Sequence, residues 1–360
     1  MFEAESRNNP TISIKKNFSQ SEERTDALQV TRDSKLVDMF ARTISYLRLS
    51  LTDQCNLRCI YCTPKGSEAK LPSNELLTYE ELLRICKVAV QLGVGKIRLT
   101  GGEPLIRKEV MGFIRQLTSI DGLDDVRITT NGTFLADKAV ELYETGIRKI
   151  NISLDTLDPA KYKELTGADL WEKVWTGIRA VREKGFAPIK LNVVALRGIN
   201  DEEFIDFARL TLENDLHVRF IEFMPMGKRT IWEKDKYIPA AEILAAIAPL
   251  GTLEPIASRK FDAPARLYRI KGAQGSVGVI SPISHHFCDK CNRLRLTSEG
   301  RLRSCLLNEQ ETDIKQVIRS GGGEEEIMQT IIATVRNKPK GHTIDHDNLN
   351  CHGRMSRIGG

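Results

Sequence analysis

At 360 residues, 41% of them hydrophobic, the chain has room for one large α/β domain and a smaller one. No apolar run reaches the roughly 18 residues needed to span a bilayer, so no segment reads as a transmembrane helix. A net charge of +5 suits an anionic small molecule and falls short of the dense basic stripe of a nucleic-acid binder.

Residues 1–40 are polar and mixed in charge, with Glu3, Glu5, Glu22, Glu23 and Asp26 among the bases. A signal peptide needs an apolar stretch and a transit peptide is poor in acids, so a poorly ordered leader is expected instead. Over 41–225, short β-branched runs alternate with amphipathic stretches. Strands are predicted at Ile44–Leu51, Lys96–Thr100, Val126–Thr130, Lys149–Leu154, Ile189–Leu196 and Val218–Met224. Helices are predicted near Thr78–Leu92, Glu109–Thr118, Ala136–Thr145, Leu170–Lys184 and Glu202–Glu213. In the first helix Leu82, Ile85, Cys86 and Ala89 share one face, which makes Cys86 a core residue.

Six such strand–helix units imply a parallel sheet, and a doubly wound open sheet and an incomplete barrel both satisfy the pattern. The polar residues decide between them. A cysteine loop, paired glycines, Asn131, Ser153 and Met224 all fall at or just past the carboxyl end of a strand. Barrels place their ligand sites on that rim, so the expected fold is an incomplete (β/α)6 TIM-like barrel.

After Pro225 a smaller α+β C-terminal domain is expected over 226–337. It begins with a helix at Ala240–Ala248 and strands at Leu267–Lys271 and Val277–Ser281. A second cysteine loop leads into a hairpin turning at Ser298-Glu299-Gly300, followed by helices near Asp313–Ser320 and Glu325–Val335. Doubling back at Gly300 returns Cys305 towards Cys288 and Cys291. Residues 338–360 read as a polar tail.

Six of the eight cysteines cluster as 55/59/62 and 288/291/305, leaving Cys86 and Cys351 alone, which favours metal ligation in a reducing compartment. Cys55-x3-Cys59-x2-Cys62 offers three thiolates where a closed four-iron site needs four; if no fourth ligand folds in, one iron stays open for a small molecule. A zinc site is the alternative, and it would need a fourth ligand. Gly101-Gly102, after a strand, lets backbone approach a ligand closely, although paired glycines also make ordinary turns. In isolation Ser153 reads as a turn hydroxyl and Met224 as a core filler.

In the second cluster, a zinc knuckle completed by His285, His286 or a tail residue is the alternative to an open iron–sulfur site. Alternation sets Arg293 and Arg295 on one side of an extended strand, where their forks suit phosphate or purine acceptors. Any one arginine alone reads as a solvated charge, and Lys96 and Lys149 read equally as further cations for an anion or as solvated strand ends.

These clusters occur in order with Thr-Gly-Gly-Glu-Pro, Thr-Thr-Asn-Gly, Asn-Ile-Ser-Leu-Asp, Arg-Phe-Ile-Glu-Phe-Met-Pro, Cys-Asn-Arg-Leu-Arg and a terminal Gly-Gly. Over about residues 38–335 and the last few, the chain resembles the MoaA family, the GTP 3′,8-cyclases of molybdenum cofactor biosynthesis within the radical S-adenosylmethionine (SAM) superfamily. The resemblance implies a lyase with two four-iron (4Fe–4S) clusters, each on three cysteines. Cys55, Cys59 and Cys62 would hold the radical-forming cluster, and Tyr61, Gly102, Ser153 and Met224 would surround SAM. Cys288, Cys291 and Cys305 would hold the second, whose open iron binds guanine. Arg48, Arg98, Thr129, Lys190, Arg293 and Arg295 match GTP-contacting positions, and Arg219 is added to them.

The implied reaction removes hydrogen from carbon 3′ of the ribose. The resulting radical attacks carbon 8 of the purine, giving (8S)-3′,8-cyclo-7,8-dihydroguanosine 5′-triphosphate. Gly359 and Gly360 would reach into the active site to assist catalysis, where without the resemblance they read as a frayed terminus. The family also implies an external electron donor, cyclic pyranopterin monophosphate synthase as the downstream partner, a homodimer and a cytoplasmic location. No nucleic-acid or membrane partner is expected. The stretch 338–353, with His342, His346, Cys351 and His352, matches less clearly and is assigned no metal. A peptide-modifying radical enzyme is the competing activity, against which the hairpin arginines and the diglycine speak. A non-catalytic iron–sulfur or zinc scaffold is the other alternative.

Overall fold

The computed structural model describes residues 35–63, 70–226, 233–257, 264–342 and 355–359. Strands and helices alternate as β1 (Tyr46–Ser50), α1 (Tyr79–Gln91), β2 (Lys96–Thr100), α2 (Val110–Thr118), β3 (Asp125–Thr130), α3 (Leu135–Glu144) and β4 (Lys149–Ser153). The series continues with α4 (Pro159–Thr166), α5 (Trp171–Lys184), β5 (Ile189–Ala195), α6 (Phe204–Glu213) and β6 (Leu216–Glu222). β1 to β6 are parallel neighbours in chain order, the arrangement predicted from strand–helix alternation.

Alternation gives each strand an apolar face and a polar one. Leu47, Leu49, Ile97, Leu99, Ile128, Ile150, Leu191 and Phe220 are completely buried. The helices supply matching stripes: Thr78 and Glu81 form a capping box that starts α1, which buries Leu82, Ile85, Val88 and Ala89. Cys86 is buried among them, as its helical spacing predicts.

Sequence periodicity misses α4 because little of it is apolar. Its ends were nonetheless written in the chain: Asp158 caps the Ala160 and Lys161 amides, Pro159 opens the helix, and Gly167 closes it at φ 71°.

Beyond Pro225 come α7 (Ala240–Ile247), β7 (Leu253–Ile256), β8 (Arg266–Ile270), β9 (Ser276–Ile280), β10 (Arg293–Leu296), β11 (Arg301–Arg303) and β12 (Thr312–Asp313). Helices α8 (Ile314–Arg319), α9 (Glu324–Arg336) and α10 (Met355–Ile358) follow. These strands extend the first sheet at both edges. β9 runs parallel to β6 and carries β8 and β7, while β10 runs parallel to β1 and carries β11 and β12. Residues 281–292 therefore cross from one edge to the other, bearing Cys288 and Cys291. Side chains from β1 to β6, β9 and β10 line one cavity, which requires the sheet to curl.

Residues 1–34 of the expected leader lie outside the described residues. The last six of it, 35–40, are tied to the barrel: the Leu36 amide donates to Leu92 O (3.1 Å), and Val37 bridges Thr43.

Candidate active site

Strand register stacks the polar residues in tiers. Arg48 is level with Arg98 on one side and Arg295 on the other, Thr129 with Asn151, and Asn192 with Arg219. They line a cavity of about 1100 Å³ of empty space, joined by Arg293 and Met224. Among the described residues this lining holds five arginines and no carboxylate. Lys190 is buried level with Asn151 and His217 and is not part of the lining.

So many cations act on one another. Burial first, then Arg48 and Arg293, hold the Arg295 guanidinium well below its usual range. Burial takes Arg48 down to about 10 despite the opposing pull of Tyr46. Burial would raise the Tyr46 phenol, but Arg98, Arg48, Lys96 and Arg293 outweigh it and bring it to about 6. Arg98 Nε donates to Tyr46 Oη (2.6 Å) and Nη1 to Thr129 Oγ1 (3.2 Å).

For Lys96, burial decides against a solvated strand end. It is 1% exposed, with Nζ 4.3 Å from the Tyr46 ring centre, and burial lowers it to about 7. The register that sets Lys96 level with Tyr46 turns it inward. Lys149 is half-buried and pairs with Asp125, its side chain 40% exposed, in keeping with a partly solvated strand end.

The first cysteine loop leaves the carboxyl end of β1. The Arg58 and Ile60 amides donate to Thr166 O (2.7 Å) and Leu165 O (3.0 Å), pinning the loop to α4. Gly101 and Gly102 do serve close approach, and the approaching backbone is the chain's own. A Cβ on Gly101 would stand 2.4 Å from Thr52 O, and one on Gly102 2.1 Å from Gln54 O. Buried Glu103 accepts from the Thr130 hydroxyl (2.8 Å) and the Asn131 amide (2.7 Å), joining the ends of β2 and β3.

The Tyr61 ring packs on Leu165, Leu196 and Phe223, and its hydroxyl donates to Asp155 Oδ2 at 2.5 Å. Its side chain thus braces the loop. Asp155 closes the Asn-Ile-Ser-Leu-Asp run, and burial pushes its carboxyl up to about 6. Ser153 ends β4 level with Asn192. Met224 lines the cavity while packing on an apolar cluster that contains Ile358, so cavity wall and core filler coincide.

Burial raises the Cys55 thiol, lifts Cys59 well above the thiol range and takes Cys62 to about 12. Cys62 and Cys55 raise Cys59 further, and Cys55 raises Cys62, so the three thiols lie near enough to feel one another's charge. Three soft donors that lose their protons only against incoming positive charge fit an iron–sulfur cluster.

The second loop stands at the other end of β1, because Arg293 is level with Tyr46. Roughly 13 Å of strand, four steps from Tyr46 to Ser50, separates these levels. Glu222 fixes the start of the crossover by accepting from the Ala240 (2.9 Å), Ile283 (2.9 Å) and Ser284 (3.0 Å) amides. Arg42 Nη1 donates to Cys288 O at 2.8 Å, and Lys338 Nζ to Arg293 O at 2.9 Å and to Ser304 O.

Cys288, Cys291 and Cys305 all line the cavity. Burial raises Cys288. Burial would also raise Cys291, but Lys338 and Arg293 overcome it and draw that thiol below its ordinary value. Three thiols converging on a cation-rich wall likewise fit an iron–sulfur cluster.

The tail returns to the same cavity. Ile358 is fully buried with Met226, Tyr237, Ile283 and Leu307. The Ser356 amide bonds the Cys62 sulfur. Gly359 O accepts from Arg295 Nη1 (2.7 Å) and Arg48 Nε (3.2 Å), and a Cβ there would lie 1.9 Å from Thr100 Oγ1. Gly360, His346, Cys351 and His352 lie outside the described residues.

Sequence reasoning missed Tyr46, Asn151, Asn192, Asp155, Arg42 and Lys338. Alternation from Arg48 and Thr129 would have reached Tyr46 and Asn151. Arg42 meets Cys288 across 246 positions, for which no local signal exists.

Two protein families match the chain: the Radical SAM superfamily over residues 49–211 and Molybdenum Cofactor Synthesis C over 216–344. A GTP 3′,8-cyclase of Pelotomaculum thermopropionicum is 44% identical over 324 residues, 90% of this chain and 99% of the relative. One of Thermodesulfovibrio yellowstonii is 45% identical with the same coverage. Among solved structures, Streptococcus suis SuiB bound to S-adenosylmethionine shares the fold at a TM-score of 0.53 and 15% identity, over 79% of this chain and 67% of SuiB. No described helix is long and apolar enough to cross a membrane. The superfamily implies one four-iron (4Fe–4S) cluster and SAM binding, for which the Cys55–Cys62 loop has the donors. Similarity of this degree over nearly the whole length of such relatives means that the chain belongs to the GTP 3′,8-cyclase family.

Proposed function

We propose that the chain converts GTP to (8S)-3′,8-cyclo-7,8-dihydroguanosine 5′-triphosphate, holding the nucleotide in the arginine-lined cavity. The observation that carries this reading is the charge of the wall, five guanidiniums without a carboxylate among the described residues. A triphosphate, with about four negative charges at neutral pH, offsets that excess and suits bidentate Arg forks.

Cys55, Cys59 and Cys62 hold one cluster and Cys288, Cys291 and Cys305 a second. When bound, the first cluster and SAM supply the electron and the 5′-deoxyadenosyl radical, and the second supplies a Lewis-acidic iron for guanine. The protein orients the partners. Tyr61 braces the first loop, while Gly102, Ser153 and Met224 flank SAM. Arg48, Arg98, Thr129, Arg219, Arg293 and Arg295 hold GTP, with Lys190 adding charge beneath them. Gly359, and Gly360 after it, keep water from the ribose and limit its freedom to turn.

The radical-forming part is 41–225 and the substrate-binding part 226–337, followed by the tail 338–360. The enzyme takes electrons from an external donor in the reducing cytoplasm, works as a homodimer and passes its product to cyclic pyranopterin monophosphate synthase. Anaerobic incubation of the reconstituted chain with reductant, SAM and GTP is expected to yield 5′-deoxyadenosine and the cyclised nucleotide. Absence of both from protein carrying its full iron overturns the reading.

A further inference from the structure

His286, Cys288 and His342 each bring a ligand atom to within 4.8 Å of the other two. His286 precedes the cysteine turn, Cys288 opens it, and His342 arrives after α9. Arg42 builds this convergence. Its Nη1 donates to Cys288 O and to Lys340 O, both at 2.8 Å, and so fixes the backbone on both sides. Gly341 lies on the cysteine, where a Cβ would stand 3.7 Å from the sulfur. The two rings face one another, His286 Nδ1 being 2.9 Å from His342 Nε2. His285 turns instead to Ser284 Oγ, at 3.1 Å.

We propose that His286, Cys288 and His342 form a mononuclear zinc site, filled before any cluster is assembled on Cys288. One thiolate and two imidazoles are a donor set that zinc prefers and that magnesium and calcium do not. Two imidazole nitrogens on a tetrahedral zinc stand about 3.3 Å apart, so the rings part by a few tenths of an ångström and His342 Nε2 gives up its 3.0 Å contact with Pro282 O. Binding exchanges the Cys288 S–H proton for a Zn–S bond and releases that proton, with no change of oxidation state. The fourth position faces the cavity that Cys288 and His342 line, leaving it to water. Because Cys288 is shared, zinc here and a cluster on Cys288, Cys291 and Cys305 exclude one another. Zinc therefore delays the second cluster and spares the first.

The test uses the full chain prepared without clusters and loaded with one equivalent of Zn²⁺. X-ray absorption at the zinc edge is expected to report one sulfur and two imidazole nitrogens. His286→Ala and His342→Ala should each weaken zinc binding by about 10-fold or more in chelator competition, and Cys305→Ala by less than about 2-fold. Three sulfur ligands, or undiminished affinity in both histidine variants, overturns the site. On reconstitution with iron and sulfide, zinc-loaded chain should take up about four irons where zinc-free chain takes about eight. Equal uptake overturns the delay. Zinc bound by these ligands in a chain that, once stripped of zinc and carrying its full iron, fails to convert GTP would leave this inference standing and remove the substrate reading.

Discussion

The two cysteine triples flank the same strand and differ in what surrounds their sulfur. At the carboxyl end of β1, Cys55, Cys59 and Cys62 lie near Glu103 and Asp155, and burial keeps their thiols protonated. At the amino end, Arg42, Arg293 and Lys338 crowd the loop, and Cys291 is drawn towards thiolate. A site short of positive charge gains most from a cationic cofactor. A site that already has an excess has charge left over for an anion, and Arg48 and Arg295 carry that excess into the middle of the barrel. On the proposed reading, equal thiol counts do not make equal sites: the neighbouring cations suit one loop to chemistry and the other to substrate.

Removing one ligand from each triple should break the comparison most severely. Cys59→Ala is expected to abolish 5′-deoxyadenosine formation, while Cys291→Ala keeps it and loses the cyclised nucleotide, as product analysis under anaerobic conditions would reveal. Loss of all cleavage in a Cys291→Ala protein that folds and keeps its first cluster contradicts separate roles.

Next in size is thiol ionisation in the cluster-free chain. A lowered pKa means more thiolate at a given pH, so Cys291 ionises at lower pH than Cys62, which burial takes to about 12. At pH 8 their thiolate fractions should differ by about 10³-fold, read as relative alkylation rates by peptide mass spectrometry. Equal rates would erase the electrostatic distinction.

Gly359→Ala cannot keep its place beside Thr100. Turnover should fall on the order of 10²-fold, with iron content unchanged. Arg295→Ala removes a buried cation from the second region and should weaken GTP binding by about 10-fold or more, measured calorimetrically, while SAM binding is unaffected.

The barrel was legible because alternation and 3.6-residue periodicity are local properties, and cysteine spacing is read directly from the chain. Arg48, Arg98, Arg293 and Arg295 were found as candidates, and alternation explains why they share a wall. The burial of Lys96 was not, since a lysine at a strand start reads as solvated until register sets Tyr46 beside it. Nor was the joining of β9 and β10 to opposite edges of one sheet, because edge pairing is decided by distant partners. The positions of Arg42 and Lys338 depend on that closure. The paired glycines were read as allowing close approach to a ligand; that Thr52 and Gln54 fill the space beside their Cα atoms is a long-range contact no local pattern announces.

The most direct test of the division between the triples is electron–nuclear double resonance on reduced Cys59→Ala protein with GTP labelled with ¹⁵N in the guanine. Only the second triple is then intact, and a nitrogen hyperfine coupling to its cluster is expected. Protein that holds about four irons, binds GTP and lacks that coupling would contradict the division.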